Sequence, residues 1–339
     1  MMKWIAIDIG NSEIKVAVRG ERNKPSKLLY DSHGRLYSHL TPEYYLTPDK
    51  KPCFGCYLPV MGALHPENVH FIKDPLLVEN DNSIADDALN ALFGMIKEAA
   101  ITHYAKDKDN SIAAVLLHDN IVDEHMAEIA KSYFTEIRNL FASEVLYSIH
   151  SKNKQKVLVV DMGMSSLKTT MITKGMKGAY SRHDELGYYS VDISKIMGYN
   201  GSEDKFQHGL LLEKSRADLC HDDIRCLPID CLNSESNPIE IKSAFENNMQ
   251  KFLYDCFDMC EQDLRNLSLR WEDTDAIIFC GGASNYHLLD STFKEYLKEK
   301  DCHINDGHII QFHQDAQWAA AFATMQMPLP NKDDIVICN

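Results

Sequence analysis

Three short stretches hold the residues whose types and spacing could do chemistry. Asp8-Ile9-Gly10-Asn11-Ser12 ends an apolar run near the N-terminus, and Asp161-Met162-Gly163-Met164-Ser165-Ser166 ends a second one. Gly281-Gly282-Ala283-Ser284 follows a third, AIIFC. An aspartate two residues before a glycine, at a strand end, sets a carboxylate beside a turn whose backbone N–H groups can face an anion. Magnesium takes oxygen ligands and keeps several waters, so one or two such carboxylates suffice to hold it beside a phosphate. A Gly-Gly step between strand and helix leaves bare backbone for a nucleotide to lie against. Singly, each stretch also reads as an ordinary turn. The second one keeps only Gly163 where a phosphate cradle would be richer in glycine.

These turns must be carried by strands. Residues 3–18, KWIAIDIGNSEIKVAV, and 156–171, KVLVVDMGMSSLKTTM, both read as strand, turn, strand. Laid over each other, Lys3, Asp8, Gly10, Ser12 and Lys15 fall on Lys156, Asp161, Gly163, Ser165 and Lys168. The match includes both turn aspartates and both glycines, which marks a duplicated element. Between the copies, apolar spacing predicts a helix over Ser83–Tyr104, a compact strand at Ile112–Leu117, and a helical stretch over Val122–Ile149, broken around Phe134–Phe141. After the second copy, residues 178–196 are read as a turn through Gly187 into a helix. Phe245–Leu267 is a strong helix and Asp275–Cys280 a strand. Asn285–Lys298 is a helix, Ile309–Phe312 a strand, and Asp315–Met325 an Ala-rich helix. Strands alternating with helices imply an α/β sheet with crossovers. Residues 25–60, with Pro25, Pro42, Pro48 and Pro52, suggest short strands and turns.

Composition narrows the function classes. Lys and Arg number 35 against 50 Asp and Glu, a formal charge of −15, which argues against nucleic acid as a main partner. No apolar run approaches the roughly 18 residues of a membrane span, and MMKWIAIDIG lacks the features of a signal peptide. A cytoplasmic protein with reduced thiols is expected. Cys53-Phe-Gly-Cys56 lacks the second pair that zinc usually wants, and Cys220, Cys226 and Cys231 are spaced wrongly for it.

Two Asp-x-Gly hairpins, helices between them, a strand–Gly-Gly–helix unit, then a strand and an Ala-rich helix form an order that resembles the actin, sugar-kinase and DnaK-type chaperone superfamily of ATPases. Within it, the chain is most similar to the nucleotide-binding domain of DnaK-type heat-shock chaperones, over nearly its whole length. HPENVHFIKDPLL (65–77) resembles the segment carrying a catalytic lysine, which puts Lys73 in that place. The family's connecting-helix glutamate falls on Glu144. LLEKSRADL (211–219) is similar to the adenosine-contacting helix, placing Glu213 and Arg216 on its glutamate and lysine. IIFCGGASNYHLL (277–289) resembles the adenosine turn, with Gly281, Gly282, Ala283 and Asn285, and FHQDAQWAAAFAT (312–324) the closing segment with Asp315.

The resemblance implies a bilobal actin-like ATPase fold of two ribonuclease-H-like domains flanking a nucleotide cleft. Lobe I would span 1–152, with 305–327 packing back onto it, lobe II 153–304, and a tail 328–339. ATP or ADP with magnesium would bind between the lobes. Asp8 and Asp161 would hold the metal through water, Gly10, Asn11, Ser12, Gly163, Ser165 and Ser166 would line the phosphates, Lys73 would stabilise phosphate charge, and Glu144 would orient the attacking water. Four departures cluster at the chemistry. Met164 stands where a glycine is expected, and its side chain would enter γ-phosphate space. Lys168 replaces an aspartate, Ala217 an arginine, and Asn285 another arginine. The expectation is a stand-alone DnaK-like nucleotide-binding protein without a substrate-binding domain. Its hydrolysis would be slow or absent, and lobe movement would signal to a protein partner. A filament-forming actin-like ATPase, a small-molecule kinase and a pseudo-ATPase scaffold with an empty cleft stay open at this point.

Overall fold

In the computed structural model of the chain, the described residues are 3–10, 13–19, 24–28, 43–54, 69–71, 82–104, 111–191, 196, 219–220, 238–312 and 315–328. They divide into two compact units, Met1–Ile149 with Ala320–Asn339, and His150–Ala319. The architecture is mixed α/β.

The first unit is built on a five-stranded sheet. Its strands are β1 (Lys3–Ile9), β2 (Ile14–Arg19), β3 (Pro25–Lys27), β7 (Ile112–His118) and β8 (Ile137–Phe141), in the order β3-β2-β1-β7-β8. β1, β2 and β3 run antiparallel, whereas β7 and β8 run parallel to β1. Every residue of β7, IAAVLLH, is buried, as expected for a parallel strand covered on both faces. Three helices accompany this sheet in the chain: α1 (Asn82–His103), α2 (Glu124–Lys131) and α3 (Ala142–His150). Asp123 caps α2, its carboxylate accepting the Met126 N–H at 2.9 Å. A small sheet of β4 (Glu43–Leu46), β5 (Pro52–Cys53) and β6 (Val69–Phe71) has β4 in the middle.

The second unit repeats the sheet. Its strands are β9 (Lys156–Met162), β10 (Leu167–Thr173), β11 (Met176–His183), β12 (Ala276–Cys280) and β13 (Ile309–Gln311), in the order β11-β10-β9-β12-β13. Three antiparallel strands are again followed by two parallel ones. α4 (Pro238–Asn266) buries Phe245, Met249, Phe252, Cys256, Cys260 and Leu264, a spacing of three and four that lines one helix face. α5 (Leu289–Glu299) adds Phe293, Tyr296 and Leu297 to the same core. Phe257, Phe279, Phe293, Tyr296 and Trp271 form a continuous aromatic cluster there, with Phe257 and Phe293 centroids 4.8 Å apart.

The chain returns to the first unit through α6 (Ala319–Gln326). Arg19 holds the end of this helix: its guanidinium donates to the carbonyls of Met325 at 3.1 Å and Met327 at 2.7 Å, groups that a helix C-terminus leaves unpaired. The return begins at Ala320 rather than at residue 305, because Ile309–Gln311 is taken up as the edge strand of the second sheet.

Several elements differ from the sequence expectation. The helical reading of 122–149 gives way to α2, β8 and α3 in succession. Residues 176–183 are a strand, joined to β10 by a two-residue turn, Lys174-Gly175, with positive φ at both positions. The helix expected from Asn285 begins only at Leu289, since 282–285 coil as a single 3-10 turn. Asp315–Met325 likewise opens with a 3-10 turn at 316–318. Cys226–Leu232, whose sequence also reads as a strand, lies outside the described residues.

Candidate functional site

The two Asp-x-Gly turns close equivalent hairpins. In the first, Asp8 faces Lys15 across the β1–β2 ladder, and the Gly10 N–H donates to Glu13 O at 3.1 Å to tighten the turn. In the second, Asp161 faces Lys168 across β9–β10, and the Gly163 N–H donates to Ser166 O at 3.0 Å. Each aspartate is ion-paired to the lysine opposite it. The Lys15 Nζ–Asp8 Oδ2 distance is 2.9 Å and the Lys168 Nζ–Asp161 Oδ2 distance 3.4 Å. Aspartate and lysine lie seven apart in both copies because each strand register is symmetric about its turn. That spacing was visible in the sequence; the ion pairs it creates follow from the register. In the first turn the ammonium lies over the backbone itself, 3.0 Å from where a Cβ on Gly10 would sit.

The second hairpin is hemmed in on two sides. Residues 187–189 run beside the turn, where the Tyr188 N–H donates to Gly163 O and the Tyr189 N–H to Met164 O, both at 3.0 Å. At Gly187 a side chain would meet the backbone of Met164 and Ser165 at 2.6 Å, so this approach requires glycine. On the other side, Cys280 pairs with Asp161 at the end of β12, and the chain turns through Gly281 with φ 86°. A Cβ at Gly281 would strike the Asp161 carboxylate and the Met162 carbonyl. Gly281 is therefore the residue that lets the end of β12 press against the aspartate. Gly282 has no such constraint, its nearest neighbour being Tyr188 at 3.9 Å.

The second unit brings Asp161, Gly163, Ser165 and Gly281 together at the ends of β9 and β12. Other residues expected to line the site sit behind it. Ser166 is fully buried with no hydrogen-bond partner for its hydroxyl, so it packs beneath the turn rather than donating into it. Met164, partly buried, packs against the core of the second unit. Ala283 is buried. Asn285 is nine-tenths buried; its Oδ1 accepts the Ala316 N–H at 2.8 Å and its Nδ2 donates to Gln317 Oε1, which binds the 282–285 turn to the next one. Asp315 adopts φ 62° at the head of that turn, and Gly281 N–H donates to Ala316 O at 3.3 Å. Asn285 and Asp315 thus shape the loop pair that presents Gly281.

In the first unit, Asp8 and Gly10 share the hairpin end, with Asp8 half-buried. Glu144 stands in the first turn of α3, directly after β8, with its side chain half-buried. Asn11, Ser12, Lys73, Glu213, Arg216 and the tail from 329 lie outside the described residues. Sequence reasoning reads a turn at Gly187 and a family-like segment over 185–197, but does not set residues 187–189 against the second hairpin turn. The glycine before two tyrosines is ordinary until the turn beside it is known.

Among the described residues no group of three or more His, Cys, Asp or Glu side chains is arranged to hold a metal ion. Also among them, no helix is long and apolar enough to cross a membrane. The chain matches no model of a known protein family and no curated protein.

Proposed function

We propose that the chain is a nucleotide-binding protein of the actin-like ATPase type that takes ATP or ADP. The observation carrying this reading is the duplication. Two sheets share one strand order and one pattern of directions, and each ends its first hairpin in an aspartate and a glycine at the same register. Anion recognition at such turns needs backbone N–H groups and close approach. Gly281, held in a left-handed conformation against Asp161, supplies bare backbone at the second.

The resemblance also implies magnesium. The residues present do not fit it well. Each strand-end carboxylate already faces an ammonium, and a divalent cation would have to share one carboxylate with that positive charge. Slow or absent hydrolysis is consistent with this, since phosphoryl transfer depends on charge placed around the transferring group. The same ion pairs favour one second reading, a scaffold that keeps the two-unit architecture and binds no nucleotide.

Isothermal titration of the purified full chain with ATP and ADP, together with analysis of nucleotide released on denaturation, separates the two. Binding that is lost in Asp161→Ala supports the nucleotide reading. No bound nucleotide and no heat at millimolar ATP or ADP leaves the scaffold.

A further inference from the structure

Tyr188 links separated segments of the second unit. Its N–H donates to Gly163 O at 3.0 Å, which fixes the residue to the second hairpin turn. Its ring is what a side chain at Gly282 would meet, at 3.9 Å. Its hydroxyl lies 2.6 Å from the Cys220 thiol, and both residues are buried. Cys220 is held in turn: its carbonyl accepts the His287 N–H at 2.9 Å and lies 3.1 Å from His287 Nδ1. His287 follows the 282–285 turn by two residues. The hairpin turn, Cys220 and the far side of the Gly281-Gly282 turn are thus joined in sequence through one phenol.

We propose that Tyr188 and Cys220 are positioning residues: their hydroxyl–thiol bond sets the spacing of the two glycine turns of the second unit, and affinity for ATP or ADP depends on that spacing. The affinity half rests on the nucleotide-binding reading above. Sheet pairing fixes Cys280 beside Asp161, but Gly163 has already left β9 and Gly282 has left β12. Beyond the sheet the two turns need another tie, and Tyr188 stands beside both. Such turns offer backbone to a ligand, and a backbone N–H must come within about 3 Å of the oxygen it binds. Small changes in spacing therefore matter. The ring alone could tilt; the hydroxyl fixes its direction, because a buried phenol left without a partner is costly and stays on the sulfur. Cys220 passes the constraint to His287. Phe252 packs on the same ring, with centroids 6.1 Å apart, and takes no part in the hydroxyl–thiol bond.

Two measurements on the full chain test this: calorimetric titration with ATP and ADP, and amide hydrogen exchange without ligand. Tyr188→Phe and Cys220→Ala should each weaken binding by about tenfold, the equivalent of one buried hydrogen bond. Both should also speed exchange at 163–166 and 282–285, while β9 and β12 exchange as before. Cys220→Ser keeps a hydroxyl for the phenol to bond and should restore both readouts. Phe252→Leu should lower the midpoint of thermal unfolding and move neither readout. Unchanged exchange in Tyr188→Phe overturns the proposal, as does unchanged affinity where the wild type binds. The same changes in Phe252→Leu also overturn it, since packing alone would then explain them. A wild type that takes up neither nucleotide removes the binding reading and the affinity half with it. The exchange comparison then decides the spacing by itself: faster exchange in both turns upholds it, and unchanged exchange ends it.

Discussion

The two sheets share strand order, directions and hairpin register, yet the strand beside the first hairpin strand ends differently in each. β1 pairs Ile7 with Leu116, and β9 pairs Val160 with Phe279. Counting on from these pairs, Gly281 of the second unit corresponds to His118 of the first. Gly281 turns sharply and lays bare backbone against Asp161. His118 is buried instead, its Nδ1 accepting the Asp123 N–H at 3.2 Å and its Nε2 donating to Asn139 Oδ1 at 3.0 Å. One copy uses the position to open a surface, the other to close a side-chain network. Duplication preserved the frame and the paired Asp–Lys charges, and the difference lies in what the neighbouring strand offers them.

The cores differ too, and this should give the largest effect. Phe93 of the first unit meets Phe134 edge-on at 5.9 Å and Tyr133 at 6.3 Å. Phe293 of the second contacts Phe257, Trp271, Phe279 and Tyr296, three of them with centroids within 5.1 Å. Both rings are fully buried. Phe293→Ala should cost about 5 kcal/mol and Phe93→Ala about 3 kcal/mol, because a rigid aromatic cluster collapses less around the cavity. Urea unfolding followed by tryptophan fluorescence measures this, with Trp271 packed on Phe293. Equal losses would mean that the two cores relax alike.

Next in size is the glycine that distinguishes the copies. Gly281→Ala should cost about 2 kcal/mol, from its positive φ and the clash with Met162. Gly282→Ala, one residue on with open space around it, should change stability by less than about 0.5 kcal/mol. If the neighbouring substitutions behave alike in thermal unfolding, the close approach of β12 to Asp161 is not what the glycine serves.

Much of this frame was legible in sequence, and the reasons are physical. β1, β7, β9 and β12 are buried, continuous apolar runs, and α4 repeats its apolar residues at helical spacing over 29 residues, so their patterns survive any tertiary context. β11 was missed because it is an edge strand whose residues are mostly half-buried or exposed, leaving no alternation to read. β8 was taken for helix because IRNLF is short and lies between two helices. At the site, the turn aspartates and glycines were visible as motifs. The burial of Ser166, the inward packing of Met164 and the bracing role of Asn285 depend on which way side chains face, and spacing does not report that. The equal Asp–Lys spacing was in plain view, but its meaning as an ion pair needed the register.

A smaller test compares those two ion pairs. Lys15→Met should cost about 1 kcal/mol and Lys168→Met about 0.5 kcal/mol, since the first pair is shorter and less exposed. Raising the salt concentration should lower both costs, and by the larger fraction for the better-exposed second pair. A larger cost at Lys168 would show that the second hairpin depends on its lysine for more than its 3.4 Å contact with Asp161.

The smallest effect is a pH dependence confined to one unit. His150 ends α3 at the start of the second unit, its ring edge-on to Phe312 at 4.9 Å. Burial of the ring lowers its pKa below the ordinary histidine value, because the charged form is the one desolvated. In the unfolded chain the ring takes up its proton near pH 6.5, whereas the folded ring does so only at lower pH. The contribution to stability is therefore complete above about pH 6.5 and is lost as the pH falls from there through the folded value. His150→Phe keeps a ring against Phe312 and removes the titration. Between pH 7 and pH 5 the variant should lose less stability than the wild type, by under about 1 kcal/mol for a half-buried ring. Because the contact lies wholly within the second unit, the difference belongs to the transition that Trp271 reports. A change of the same size reported from Trp4 would mean that the two units do not unfold independently.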